Sequence, residues 1–439
     1  MPERIIKRRD FVRKTAAASL ALGLGAGRSV LFGGPEQKPV RLGFVGVGSR
    51  GTGLLRVALQ LEGVEIPAVC DIDQQNLARS RHLVERKGKK KPDGYSRGPE
   101  DFRRMVQRED LDAVVTATPW EWHAPVMVAA MKAGKYGATE VPATMRLDQC
   151  WQLVETSEST GMPCMLLENV CYYRNVLAVL NMVQQGLFGE LVHCEAGYQH
   201  DTRYVKIGPR GELLWRARYA LDHTGNFYPT HPMGPVSWWS GINRGDRFSY
   251  LVSMSTKSAG ISHYVREKFG PDHQNAKRKY TTGDINTTLI RTENGLTVTL
   301  YYDTCLPRPY DLIFRLQGTQ GIYMGTLNKI YLEQRSPQPH TWEDADPYLQ
   351  EYEHPLWKQH GETARDFGHS GGDYLVMQQF VHAVRHRIQT PIDVYDAATW
   401  SAIVPLTEQS VAGKSRPVDF PDFTRGRWKT ARQIEFYGI

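Results

Sequence analysis

The chain has 439 residues, 41% of them apolar and 23% charged, which is ordinary globular usage and excludes a disordered, collagen-like or coiled-coil protein. Six cysteines without a CxxC pair are too sparse for a disulfide scaffold and argue against a cysteine-based zinc or iron–sulfur site. The net charge of +7 is concentrated in residues 1–34, which hold seven basic and two acidic side chains; a body carrying about +2 has no electrostatic footprint for nucleic acid.

The leader comes first. Lys7-Arg8-Arg9-Asp10-Phe11-Val12 precedes a mildly apolar stretch from Thr15 to Gly27. A basic segment followed by a short apolar one reads as a signal peptide, and the adjacent arginines resemble the twin-arginine export signal. Residues 1–34 are therefore expected to direct a folded protein out of the cytoplasm, to a periplasmic or extracellular location, with the twin-arginine machinery as a partner. No run of 18 apolar residues follows that could span a membrane. The basic run Lys87-Gly88-Lys89-Lys90-Lys91 reads as a solvated loop.

The body opens on a buried strand, Val40 to Val45, running straight into Gly46-Val47-Gly48-Ser49-Arg50-Gly51. A helix is predicted over Thr52–Leu61, and a second strand, Val64–Cys70, ends in Asp71. Gly46 permits the tight turn, Gly48 the approach of a pyrophosphate, and Gly51 close helix–strand packing; the helix N-terminus receives the phosphate charge. Asp71 would accept from the ribose hydroxyls and repel a 2′-phosphate, so NAD is expected over NADP. The alternation continues with a helix at Asp101–Arg108, a strand from Leu111 to Pro119, Trp120-Glu121-Trp122-His123, a helix at Pro125–Ala133, the segment Tyr136 to Pro142, a helix at Leu147–Ser159 and a strand, Pro163–Leu167, ending at Glu168-Asn169.

A GxGxxG loop, an acid, Thr118-Pro119-x-x-x-His123 and a Glu-x-Pro turn in this order resemble the Gfo/Idh/MocA oxidoreductases. In most members of that family the turn is Glu-Lys-Pro and its lysine helps move the proton during alcohol oxidation. Here it is Glu140-Val141-Pro142, a departure from a plain sugar dehydrogenase.

After Asn169 the pattern changes. A helix at Asn175–Gly186 precedes alternating segments at Gly189–Tyr198, Phe248–Thr256, Asn286–Thr292, Thr297–Thr304, Leu312–Gly318 and Gly321–Gly325. These predict a mostly antiparallel open sheet. Residues 335–370 are expected to form a long loop. Helices at Tyr374–Arg387 and Asp396–Gly413 are expected to return to the first domain. The fold class is thus α/β, a doubly wound parallel Rossmann sheet plus an α+β domain. The expected domains are 40–170 for NAD and 171–439 for the substrate.

Leu214-Trp215-Arg216, the run Gly225 to His231 and Pro307-Arg308-Pro309-Tyr310 combine guanidinium, phenol and imidazole groups suited to a sugar, whose CH faces pack on aromatics while its hydroxyls hydrogen-bond. Together with Glu-Val-Pro and Glu-Asn, they resemble glycoside hydrolase family 109. The resemblance implies α-N-acetylgalactosaminidase activity on a glycan with a terminal N-acetylhexosamine, with NAD retained through the cycle. It implies NAD contacts at Gly46, Gly48, Ser49, Arg50, Asp71, Trp120, Glu121, Trp122, His123, Glu140, Val141, Asn169 and Tyr228. It implies sugar contacts at Tyr198, Arg216, Tyr228, Pro229, Thr230, His231 and Tyr310, and no metal. The expected route is oxidation at carbon 3, elimination across carbons 2 and 1, water addition and re-reduction, without net NAD use. His231 is the candidate base for the carbon 3 hydroxyl, and Tyr198 or Tyr172 for the carbon 2 proton. An exported NAD(P)-dependent sugar oxidoreductase is the alternative. An open sheet also makes a homodimer plausible.

Overall fold

Short, almost wholly apolar segments dominate the first half of the body, as a parallel sheet covered on both faces requires. In the computed structural model, which describes residues 38–438, they form β1 (Val40–Val45), β2 (Val64–Cys70), β3 (Asp93–Tyr95), β4 (Ala113–Thr116), β5 (Tyr136–Thr139) and β6 (Cys164–Leu166). Every pairing is parallel and the order is β3-β2-β1-β4-β5-β6, a doubly wound sheet whose direction of growth reverses between β1 and β4. The connecting helices are α1 (Ser49–Ala58), α2 (Gln74–Arg86), α3 (Phe102–Met105), α4 (His123–Lys132) and α5 (Leu147–Thr160). Asp73 caps α2 by accepting from the amides of Gln75 and Asn76 at 2.8 and 3.0 Å.

Helix α1 starts inside the glycine loop, three residues before the predicted Thr52. The helix expected at Asp101–Arg108 is shorter, and α2 had not been anticipated. The basic run after α2 is an exposed turn, with Lys91 paired to Glu85.

The second half supplies α6 (Arg174–Gln184), α7 (Trp215–Asp222), α8 (Thr230–Trp239), α9 (Gly260–Phe269), α10 (Asp346–Glu351), α11 (Pro355–Ala364), α12 (Gly372–His386) and α13 (Val394–Ala412). Its strands are β7 (Leu191–Gln199), β8 (Phe248–Ser255), β9 (Ile285–Thr292), β10 (Thr297–Asp303), β11 (Arg315–Gly318), β12 (Gly321–Met324), β13 (Lys329–Leu332), β14 (Glu343–Asp344) and β15 (Val418–Asp419). They form one nine-stranded sheet, β14-β13-β12-β11-β7-β10-β9-β8-β15, antiparallel except where β10 lies parallel to β7. One face alternates inward through Val298, Leu300 and Tyr302, while Tyr250, Met254 and Leu289 stay exposed on the other. The long loop expected at 335–370 is instead built around α10 and α11, the latter capped by His354.

Pro39–Ile439 is one compact unit, and its core runs continuously from the first sheet to the second. Helix α13 packs on α5 and β6, and α12 on α1. The signal peptide reading at 1–34 lies outside the described residues. All six cysteines are buried and unpaired. Among the described residues no helix is long and apolar enough to cross a membrane, and no group of three acidic, His or Cys side chains could hold a metal.

Candidate active site

The reversal between β1 and β4 opens a cleft of about 930 Å³ at the carboxyl ends of the strands. Its floor is the glycine loop. A Cβ on Gly51 would lie 1.9 Å from the carbonyl oxygen of Gly46, and one on Gly46 would lie 2.8 Å from the Thr118 nitrogen. Gly48 faces open space, its nearest neighbour being Asn76 Nδ2 at 3.8 Å. Among the described residues no side chain caps α1, and no acid lies in its first turn, so its leading N–H groups can take a phosphate. Asp71 stands at the end of β2, where its carboxylate accepts from the amides of Val47 and Asp73, both at 2.8 Å. These residues fit a dinucleotide.

Trp122 lines this cleft edge-on to Phe102, at 6.2 Å between ring centres. Glu121 instead accepts a hydrogen bond from the Tyr219 hydroxyl at 2.9 Å and does not line the cleft. His123 is buried with its ring nitrogens 2.7 and 2.9 Å from the carbonyl oxygens of Pro142 and Thr118, and burial pushes its pKa down. It ties the β4 end to the Glu140-Val141-Pro142 turn.

A deeper cavity of about 330 Å³ shares Ser49, Arg50 and Trp120's neighbour Trp215 with the cofactor side and is walled by Glu140, Val141, Asn169, Tyr198, Tyr228 and His231. Val141 is buried there, so the position held by lysine in most Gfo/Idh/MocA turns carries no proton. A titratable group that does face the cavity is His231, with Glu168 buried behind it. His231, in the first turn of α8, directs Nδ1–H to Glu168 Oε1 at 2.6 Å. Glu168 is fully buried, and its Oε2 has no hydrogen-bond partner among the described residues. The close fit needs Gly234, one turn on in α8: a Cβ there would come within 2.9 Å of Glu168 Cγ.

Arg216, at the start of α7, lays its guanidinium over Trp120, Trp215 and Tyr228 at 5.3, 5.1 and 5.7 Å. It has no carboxylate partner among the described residues. Tyr198 packs on Tyr228 and His231 at 4.6 and 5.4 Å and donates its hydroxyl to His200 Nδ1 at 3.1 Å. Burial pushes the Tyr198 phenol well above its ordinary pKa, and Arg216 offsets only part of this. Burial likewise lowers His200, which favours its neutral, accepting form. Tyr228 is raised by burial too. The rise at Tyr198 favours the protonated phenol and counts against Tyr198 as the base for the carbon 2 proton. Tyr310 is 47% exposed at the rim, edge-on to Tyr198 and His200. Pro229 immediately precedes α8 without lining the cavity, and Thr230 is buried with a hydroxyl that has no partner among the described residues.

Tyr172 does not reach the cavity. It is fully buried, edge-on to Trp238 and Phe436, with its hydroxyl unpartnered among the described residues. Its neighbour Tyr173 has the site's surroundings instead: after burial, which raises its phenol, Glu168, Asp373, Tyr310 and Arg50 all act on it. Glu168, Tyr173, His200 and the pair His369 and Asp373 are the functional candidates that the sequence reading did not assign. Only Glu168, next to Asn169 at a strand end, carried a visible signal.

The chain is similar to known proteins over most of its length. A family model described as an oxidoreductase family with an NAD-binding Rossmann fold matches residues 40–167, and one described as the glycosyl hydrolase 109 C-terminal domain matches residues 172–430. A glycosyl hydrolase family 109 protein of Stenotrophomonas maltophilia is 44% identical, covering 98% of each chain. An alpha-N-acetylgalactosaminidase of Tannerella forsythia is 41% identical over 96% of this chain and 97% of its own. A levoglucosan dehydrogenase solved with NADH and L-sorbose shares the fold, with a TM-score of 0.67 and 17% identity over 88% of this chain and 99% of that one. On these matches the chain belongs to glycosyl hydrolase family 109, a glycoside hydrolase built on an NAD-binding Rossmann fold.

Proposed function

We propose that this protein releases terminal N-acetylgalactosamine, α-linked, from glycans, keeping NAD through the cycle without net use. The observation that carries the reading is the inner cavity, which sets His231, backed by the buried Glu168, an Arg216 without a carboxylate partner among the described residues and the rings of Tyr198 and Tyr228 beside the dinucleotide cleft. The activity named for the Tannerella relative supports the substrate. Bound NAD supplies a hydride acceptor and donor. Gly46, Gly48 and Ser49 would hold its phosphates, Asp71 its ribose, and Glu140 and Asn169 its inner end. Arg50 gives both edges of its guanidinium to Glu140 and Asp373, which leaves it unavailable to a 2′-phosphate and favours NAD over NADP.

With Nδ1 bonded to Glu168, His231 keeps Nε2 to take the proton from the carbon 3 hydroxyl, and the buried carboxylate stabilises the resulting cation. Arg216 orients a sugar carbonyl or hydroxyl. Tyr198 and Tyr228, held as phenols, donate hydrogen bonds and pack on the ring. The test is to purify the protein without added cofactor, identify the released nucleotide, and assay p-nitrophenyl α-N-acetylgalactosaminide in deuterated water. Nitrophenol release with deuterium at carbon 2 and no lasting NADH is the expected result. Stoichiometric NADH without nitrophenol would assign a sugar oxidoreductase instead.

We also propose that Arg8 and Arg9 direct twin-arginine export of the loaded enzyme to the periplasm or beyond, where a retained cofactor needs no free pool. Replacing both by lysine should leave the protein in the cytoplasm by fractionation.

A further inference from the structure

Three residues that border the dinucleotide site meet around one carboxylate from the far end of the chain. Asp373, in the first turn of α12, accepts from Arg50 Nη1 at 2.6 Å, Arg50 Nη2 at 2.9 Å and Asn169 Nδ2 at 2.7 Å. It also accepts from His369 Nδ1 at 2.9 Å. Arg50 Nε goes to Glu140 at 2.6 Å, so the network continues to the turn beside the inner cavity. Burial alone would raise the Asp373 carboxyl, but His369 and Arg50 outweigh it and hold it well below the usual carboxylate range. It stays charged, and the half-buried Arg50 stays matched.

The segment carrying Asp373 is shaped to reach the cleft. His369, Ser370 and Gly371 all have left-handed backbones, with φ of 53°, 52° and 86°. Gly371 presses on Trp357, where a Cβ would stand 2.8 Å from the ring. Gly372 presses on Asn169, where a Cβ would stand 2.4 Å from the carbonyl oxygen. Seated this way, the segment holds His369 where it lines both the large cleft and the inner cavity. The His369 side chain remains 49% exposed, so it covers the cleft without belonging to the core.

We propose that residues 368–373 are a clasp that retains the dinucleotide: Asp373 fixes Arg50 and Asn169 against it, and His369 closes the junction between the two cavities. This rests on the dinucleotide occupying the large cleft. Asp373 and His369 are positioning residues, and their effect belongs to cofactor release.

The test is exchange of bound NAD for labelled NAD in the full chain, read as a half-time. His369→Ala should exchange about ten- to a hundredfold faster, the loss of one charge-assisted hydrogen bond. His369→Gln, which keeps a donor for Asp373, should recover most of the wild-type half-time. Asp373→Asn should also exchange faster, since Arg50 loses its second carboxylate. The melting temperature of stripped His369→Ala should match stripped wild type, because an exposed ring carries no core packing. Wild-type half-times in both His369→Ala and Asp373→Asn overturn the clasp. So does faster exchange that accompanies an equal loss of stability in the stripped protein, which makes the segment merely structural. Failure of the wild-type chain to bind any NAD overturns the clasp as well, and it is seen separately, in the wild-type arm alone, as failure of the dinucleotide reading.

Discussion

Glu168 and His231 show how a site can be present in a sequence and still be unreadable from it. Sixty-three positions separate them, and only the packing of α8 against the 3₁₀ turn that follows β6 brings Nδ1 to 2.6 Å from the carboxylate. His231 was visible by its chemistry and Glu168 only as a strand-end acid. Tyr172 and Tyr173 fail differently: adjacent residues at the end of a one-turn 3₁₀ segment lie in different environments, and nothing in the spacing says which stands near the charged groups of the site. If Glu168 orients and stabilises His231, Glu168→Gln should lower kcat by about two orders of magnitude with bound NAD content unchanged, measured on the nitrophenyl glycoside. His354 gives a second prediction at this scale. Its ring accepts from the Leu356 amide at the start of α11 and packs on Phe436, and burial pushes its pKa down to about 4. The unfolded chain, with an ordinary imidazole near pKa ~6.5, therefore binds more protons between these values. Stability from this group is complete above about pH 6.5 and is lost as pH falls toward 4, by on the order of 3 kcal/mol. Denaturant titrations of wild type should show that slope, and His354→Gln should flatten it.

At the scale of elements, β1, β2, β4 and β6 were legible because each is a short apolar run, whereas the edge strand β3, Asp93-Gly94-Tyr95, carries no apolar signal; the glycine loop was legible because every glycine answers a steric need. Gly51 states that need most sharply, since a Cβ there would stand 1.9 Å from the Gly46 carbonyl oxygen. Gly51→Ala should force α1 off β1, cost about 1–3 kcal/mol or more, and leave the purified protein short of nucleotide. Thermal melting and nucleotide analysis check both parts. Helices α10 and α11 were not legible. The stretch around them is rich in proline, histidine and acids, which reads as loop, yet a proline at the first positions of each helix and the His354 cap make it helical. Local composition lost there to capping and to the packing of Leu356, Trp357 and Tyr348.

For the whole molecule, the exposed face of the nine-stranded sheet is the feature that asks for a partner. Tyr250 and Met254 on β8 and Leu289 on β9 share that face and stay solvent-exposed in a single copy. We propose a second copy of this chain as the occupant. Sedimentation should then show a dimer for wild type and a monomer for the double variant Met254→Lys, Leu289→Glu, with nucleotide content unchanged.

The parallel pairing of β7 with β10 has a consequence in time. Strand β7 lies at the middle of its sheet, yet both its neighbours, β10 and β11, begin about a hundred residues downstream. At a synthesis rate of roughly 5–20 residues per second, β7 waits several seconds or more for either edge to be covered. The six-stranded sheet has all its strands by Leu166 and can close meanwhile. The contact from Arg50 to Asp373 spans 323 positions and forms only after Tyr310, the last of the expected sugar contacts, has been made. On the clasp proposal, a nascent chain owns a phosphate-binding loop long before it owns the means to keep what that loop catches, so firm loading of the cofactor would report that synthesis has passed Asp373.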